Sequence, residues 1–225
     1  MDEREAAGST ATTLETFRRR RAVGGWPKRL FDIVVAVTAC ILLLPLAAMI
    51  AVLVATSSNG PIIFRHRRIG FAGASFQCLK FRTMRSDSAE MLQRHLLNDA
   101  RARDEWSATQ KLCNDPRITT FGYILRRTSL DELPQVINIL RGEMSLVGPR
   151  PIVPEEMSRY GAHFEAYCSA KPGLTGLWQV GGRNDVSYQA RVALDRAYVE
   201  HYSFWLDLKI MLKTVPALLR MEGSY

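Results

Sequence analysis

The chain has 225 residues, 47% of them hydrophobic and 23% charged, with 30 Lys and Arg against 22 Asp and Glu and a formal net charge of +8. That balance excludes a disordered tail protein, a collagen-like repeat and a disulfide-stapled miniprotein, and the length suits one domain with a real core plus an appendage. The excess of cations points to an anionic partner: nucleic acid, a phosphorylated substrate or an acidic membrane surface.

Residues 1–17 are small and polar and read as a loose tail. Arg18-Arg19-Arg20-Arg21 and Lys28-Arg29 follow, with no acid among them. From Ile33 to Ala55 there is no charged residue. A helix of that length rises about 35 Å, enough for a bilayer core of roughly 30 Å. It starts too deep and runs too long for a signal peptide. A basic cluster abutting such a segment reads as an anchor for anionic lipid headgroups.

Pro45 lies near the middle of the segment, and Arg65, Arg67 and Arg68 lie beyond it. Both flanks are therefore positive, and the positive-inside rule places both on the cytoplasmic side. The expectation is a re-entrant helix broken at Pro45, with a kinked span and a translocated domain as the alternative.

Residues 61–70 and 75–84 read as two short strands, with Gly70-Phe71-Ala72-Gly73 as the turn of a β-hairpin. Helical patterns follow at 86–111, 133–140, 154–169 and 187–202. In the last segment, 203–221, Phe204, Trp205, Leu208, Met211, Leu212 and Val215 recur at helical spacing. Such a face suits either a membrane interface or a protein core. The four cysteines (Cys40, Cys78, Cys113, Cys168) contain no C-x-x-C pair and the four histidines no H-E-x-x-H, so a zinc site is unsupported and a reducing compartment expected.

Three clusters carry potential chemistry. In Lys80-Phe81-Arg82-Thr83-Met84, strand alternation would put Lys80 and Arg82 on one face, where two cations suit a phosphate. In Arg126-Arg127-Thr128-Ser129-Leu130-Asp131-Glu132, two carboxylates follow two guanidiniums. Adjacent Asp and Glu can share Mg²⁺ with phosphate oxygens, and a carboxylate can itself attack phosphorus. The plain alternative is a capping box, Ser129-x-x-Glu132, which assigns nothing to Asp131 or Arg126. Third, Gly148-Pro149-Arg150-Pro151 is a stiff loop presenting one guanidinium. Further on, the Gly-rich stretch 171–184 contributes Gln179 and Arg183 as candidate contacts to a base or sugar.

Lys28-Arg29-Leu30-Phe31-Asp32, Lys80-Phe81-Arg82-Thr83-Met84, Ser129-Leu130-Asp131-Glu132-Leu133-Pro134-Gln135, Gly148-Pro149-Arg150-Pro151 and Gly176-Leu177-Trp178-Gln179 together resemble, in order and spacing, the bacterial monotopic phosphoglycosyl transferases. These are polyprenyl-phosphate hexose-1-phosphate transferases, and the resemblance covers about residues 26–225. The chain most resembles the short, core-only members that begin exopolysaccharide repeat units, such as undecaprenyl-phosphate galactose phosphotransferases.

The resemblance implies a Mg²⁺-dependent transfer from a UDP-sugar to undecaprenyl phosphate with release of UMP. Asp131 would be the nucleophile and Glu132 a metal ligand with it. Lys80, Arg82, Arg126, Arg150, Gln179 and Arg183 would contact phosphate or substrate. One departure is Leu44-Pro45, where some members carry Ser-Pro.

The expected architecture is thus α+β and mainly helical: a monotopic membrane protein with a small β-hairpin and interfacial amphipathic helices. Residues 1–25 would form a basic tail, 26–58 the re-entrant helix and 59–225 a cytoplasmic catalytic domain. The expected location is the cytoplasmic face of the bacterial inner membrane, with anionic lipids as partners, no nucleic acid, and a homodimer left open. The same chemistry on an N-acetylated sugar and a non-catalytic membrane adaptor are the alternatives.

Overall fold

The computed structural model describes residues 21–109, 112, 114–181 and 187–219; Arg183 and most of the basic tail lie outside them. Helix α1 (Gly25–Ser57) is the only element among the described residues long and apolar enough to cross a membrane. It runs without interruption through Pro45, so the expected break there is not found. Proline removes only its own N–H from the ladder, a loss the surrounding turns accommodate.

Most of the helix is uncovered; Ile41, Leu42 and Leu44 are each more than 65% exposed. The buried positions fall four apart, Lys28, Asp32 and Ala36 at one end and Ile50 and Val54 at the other, which marks one packing stripe at each end. Ala36 joins Phe31, Val35 and Cys40 in the main core, whereas Ile50 and Val54 join a second cluster with Phe81, Leu125, Leu130 and Leu133.

Strands β1 (Ile63–Ile69) and β2 (Ser75–Phe81) form the expected antiparallel hairpin, in a register that pairs Phe64 with Lys80 and His66 with Cys78. The connecting turn, Phe71–Gly73, matches its sequence signal. Two helices follow, α2 (Ser88–Asn98) and α3 (Ala100–Thr109), and then α4 (Thr120–Arg127), which the sequence reading left unassigned.

The N-terminus of α4 is fixed by Thr119, whose hydroxyl accepts the Gly122 N–H at 2.9 Å. The Thr83 carbonyl takes the Thr119 N–H at 3.0 Å and lies where a Cβ on residue 122 would sit, so only glycine lets α4 approach the end of β2. A short 3₁₀ turn, Leu130–Glu132, leads into α5 (Gln135–Arg141).

Strands β3 (Ser145–Val147) and β4 (Gly173–Thr175) pair in parallel, a connection the sequence reading missed. The single helix expected over 154–169 is instead broken into short 3₁₀ and α pieces, including α6 (Met157–Tyr160) and α7 (Phe164–Cys168), with Gly161 at φ +48° between them. The remaining helices are α8 (Leu177–Gly181), α9 (Tyr188–Glu200) and α10 (Phe204–Leu219). In α10, Asp207 and Ile210 face the core while Trp205, Leu212 and Val215 stand more than half exposed. Lys209 and Lys213 are exposed beside them, so the outward face of α10 is amphipathic, unlike the uncharged middle of α1.

Candidate active site

The site forms where the end of β2 meets the turn after α4. Ser129 opens that turn in the left-handed region, at φ +56°, a conformation a β-carbon disfavours. Its side chain caps nothing, so the capping-box reading fails. The backbone turn is closed instead by the Glu132 N–H on the Ser129 carbonyl at 3.2 Å. Leu130 and Leu133 anchor it from below in the cluster built on Ile50 and Val54 of α1. What remains outward is Asp131 and Glu132.

Lys80, from β2, reaches this pair. Its ammonium lies 2.6 Å from Glu132 Oε1 and 3.6 Å from Asp131 Oδ2. Asp131 is the more enclosed carboxylate, with 11% of its side chain exposed against 34% for Glu132. Among the described residues no side chain donates a hydrogen bond to Asp131; its own backbone N–H bonds the carboxylate, which keeps further acceptor capacity open. Burial pushes its pKa above the usual carboxylate value, with Glu132 acting in the same direction; Lys80 and Arg126 pull it back. Lys80 itself is lowered by burial, but Glu132 and Asp131 more than offset that, and its pKa is raised.

Arg126 completes the corner from α4. Its Nε donates to Thr83 Oγ1 at 2.9 Å, which holds the guanidinium beside the turn, and no carboxylate among the described residues pairs with it within 4 Å. Thr83 was not singled out from the sequence, although it lies within the expected strand 75–84; β2 ends two residues before it.

Arg82 goes elsewhere. Strand β2 ends at Phe81, and the buried guanidinium of Arg82 turns away to the carbonyls of Val54, Ser58 and Pro61 at the exit of α1. The shared face with Lys80 expected from alternation therefore does not form. Arg82 satisfies helix-end carbonyls that have no intrahelical donor.

Arg150 also lies outside the corner. It sits over the Trp178 ring at 5.2 Å, as does Arg191 at 4.9 Å, beside the buried Asp195–Tyr160 hydrogen bond of 2.7 Å. Gln179 follows Trp178 in α8, its carbonyl oxygen buried and without a hydrogen-bond partner among the described residues. The cross-strand register links the two regions, because Lys80, Phe64, His66 and Arg68 share one face of the hairpin. His66 is lowered by burial and by the charges of Arg68 and Lys80, and the charge of Arg150 acts in turn on Arg68. A basic strip thus runs from the carboxylate pair to Arg150.

As a cation site the corner offers two adjacent carboxylates, and no group of three His, Cys, Asp or Glu exists among the described residues. Two carboxylates suit Mg²⁺, which completes its shell with water and phosphate oxygens rather than an all-protein cage.

Known proteins match this chain along nearly its whole length. The family model for bacterial sugar transferases matches residues 23–221. The exopolysaccharide production protein ExoY of Rhizobium meliloti is 51% identical over 205 residues, which cover 91% of each chain. The undecaprenyl-phosphate galactose phosphotransferase of Salmonella typhimurium is 50% identical over 198 residues, 88% of this chain but 41% of that longer one. A UDP-glucose:undecaprenyl-phosphate glucose-1-phosphate transferase of Caulobacter vibrioides is 41% identical over 208 residues, 88% of this chain and 72% of its own. With the match running from the start of α1 to the end of α10, the chain belongs to the bacterial sugar transferase family.

Proposed function

We propose that this protein transfers a hexose-1-phosphate from a UDP-sugar to undecaprenyl phosphate, as the first membrane step of exopolysaccharide or related glycoconjugate synthesis. The observation that carries the proposal is Asp131: an enclosed carboxylate on a strained turn, between Lys80 and Arg126, with no side-chain hydrogen bond using up its oxygens. In this reading an Asp131 oxygen attacks the sugar-bearing phosphorus of the donor. The bond from that phosphorus to the bridging oxygen breaks, UMP leaves, and the phosphosugar stays on the carboxylate. An oxygen of undecaprenyl phosphate then attacks the same phosphorus and breaks the bond to Asp131.

Both steps move negative charge between phosphate oxygens, so fixed cations stabilise them more than acid–base groups do. Lys80 and Arg126 supply these cations. Asp131 and Glu132 would hold Mg²⁺, which when bound neutralises charge on phosphoryl oxygens. The basic strip through His66 and Arg68 toward Arg150 suits a diphosphate-bearing donor. Relatives named for galactose, at 50% identity, and for glucose, at 41%, both match, so the hexose is a matter for a donor panel.

The same reading places the enzyme on the cytoplasmic face of the inner membrane, with both ends of α1 on that side and the helix bent, rather than broken, at Pro45. Residues 31–40 and 46–54 of α1 both pack on the short run 125–140, which supports the two ends lying on one side of the bilayer. Arg21, Lys28, Arg65, Arg67 and Arg68 flank the helix with positive charge on both sides.

Asp131→Asn tests the chemistry directly. The amide keeps shape but offers no anionic oxygen, so the variant should reach the membrane folded and show no transfer. Wild-type protein given UDP-sugar without lipid acceptor should release UMP in an amount no greater than the enzyme. Transfer by the Asp131→Asn variant above background would remove the nucleophile assignment.

A further inference from the structure

Among the described residues, strand β2 has a strand partner on one side only, β1, in a two-stranded sheet. Its other edge therefore presents backbone groups that need partners. Asn138 of α5, wholly buried, supplies them. Its Oδ1 accepts the Leu79 N–H at 3.0 Å and its Nδ2 donates to the Gln77 carbonyl at 2.7 Å, so one carboxamide takes the place of a third strand. The second hydrogen of Nδ2 goes to Glu143 Oε2 at 2.6 Å, and the Asn138 carbonyl receives the Glu143 N–H at 3.0 Å. Every donor and acceptor of this side chain on that edge is engaged.

The residues joined are informative. Leu79 precedes Lys80, and Asn138 lies in α5, the helix that begins three residues after Glu132. The amide thus ties the strand that carries the cation to the helix that continues from the carboxylates. Any slide of β2 along α5 would move the Lys80 ammonium off its 2.6 Å and 3.6 Å positions. We propose that Asn138 is a positioning residue for phosphosugar transfer, acting through Lys80 by fixing the register of β2 against α5. The proposal rests on the Asp131 reading.

Two variants separate this role from general support of the fold. In Asn138→Asp the carboxylate still accepts from Leu79, but its second oxygen faces two acceptors, Gln77 O and Glu143 Oε2. Adding Glu143→Gln turns one of these into a donor. The measurement is the UMP burst on mixing membrane-embedded full-length enzyme with UDP-sugar and no lipid acceptor, resolved into amplitude and rate constant. Loss of folded protein lowers amplitude alone. Misplacement of Lys80 lowers the rate constant, by about 10- to 100-fold for a displacement near 1 Å.

We expect N138D to keep most of its amplitude and lose rate, and N138D/E143Q to regain rate. Should N138D fail to accumulate, Asn138→Ser goes through the same measurement with the same expectation. An unchanged rate constant, whatever the amplitude, overturns the positioning role and leaves the Asp131 reading intact. Absence of any burst from wild-type enzyme overturns both.

Discussion

Lys28 and Lys80 each face a pair of carboxylates, one in the core and one at the site. Around Lys28 the pair is Asp207, its ion-pair partner, and Asp32, one helical turn along α1. Tyr198 donates to Asp207 at 2.7 Å, Asp32 accepts the Leu146 N–H at 3.1 Å, and the Lys28 and Asp207 side chains are 8% and 2% exposed. Around Lys80, the carboxylate pair is adjacent in sequence, sits on a left-handed turn and keeps acceptor capacity open. Composition does not distinguish the two clusters. Saturation of hydrogen bonds does: the first is closed and pins α1 to α10, whereas the second keeps acceptor capacity open toward solvent.

Removing each lysine should divide stability from activity. Lys28→Met leaves Asp207 buried and uncompensated, and should cost about 3–5 kcal/mol, read as a large fall in melting temperature of the purified protein. Lys80→Met leaves Asp131 enclosed but Glu132 a third exposed, and should cost less than Lys28→Met, on the order of 1–2 kcal/mol. Its transfer rate should nonetheless fall by about 10²–10³, the usual cost of one preorganised electrostatic contact to a transition state. Because Lys80 pulls the raised Asp131 pKa down, the acid limb of the rate profile should also move to higher pH in Lys80→Met. Equal stability losses in the two variants would erase the distinction.

Asp195 sharpens it from a third position. Burial raises this carboxyl to about 7, against the Tyr160 hydrogen bond and the nearby arginines that hold it down. Its folded pKa lies above the unfolded value of about 3.9, so its contribution is fully present below that value and fades as pH rises through about 7. Asn at this position still accepts from Tyr160 and carries no proton to lose. Thermal melts from pH 4 to 8 should show wild type losing ground to Asp195→Asn up to about pH 7 and a constant gap above it.

The smallest effect belongs to Ser129. A working capping box would make Ser129→Ala cost about 0.5–2 kcal/mol. Its side chain makes no cap, so that variant should be nearly silent, while Ser129→Gly should relieve the left-handed strain and gain on the order of 1 kcal/mol.

Much of this architecture is local and was legible in the sequence. The hairpin ends fall within three residues of the expected strands, because alternation and a Gly-rich turn are short-range signals. The apolar run in α1 needs no tertiary information, although the helix starts eight residues earlier, where Lys28 and Asp32 are charged yet buried against distant partners. Helix α4 was missed because Gly122 interrupts a short pattern, and its glycine answers to the Thr83 carbonyl, a contact across 39 residues. Three-residue strands paired in parallel between 145 and 173 carry too few positions for any period to appear.

At the site, Lys80, Asp131 and Glu132 stand out by chemistry. That Arg82 serves the end of α1, and Lys80 the carboxylates, depends on where β2 stops. Thr83 and Asn138 carry no charge to betray them.

The way α1 is fastened has a bearing on how such a protein can be divided. Leu130 and Leu133, on either side of Asp131 and Glu132, rest on Ile50 and Val54, Arg82 holds the exit of the helix, and Arg29 donates to the carbonyls of Ile139 and Leu140 at the end of α5. A protease cut in the link after Ser57 would not free a working soluble enzyme, since the floor of the site would leave with the anchor. Exchanging this apolar helix for another tether would leave Leu125, Leu130 and Leu133 without the side chains they pack on.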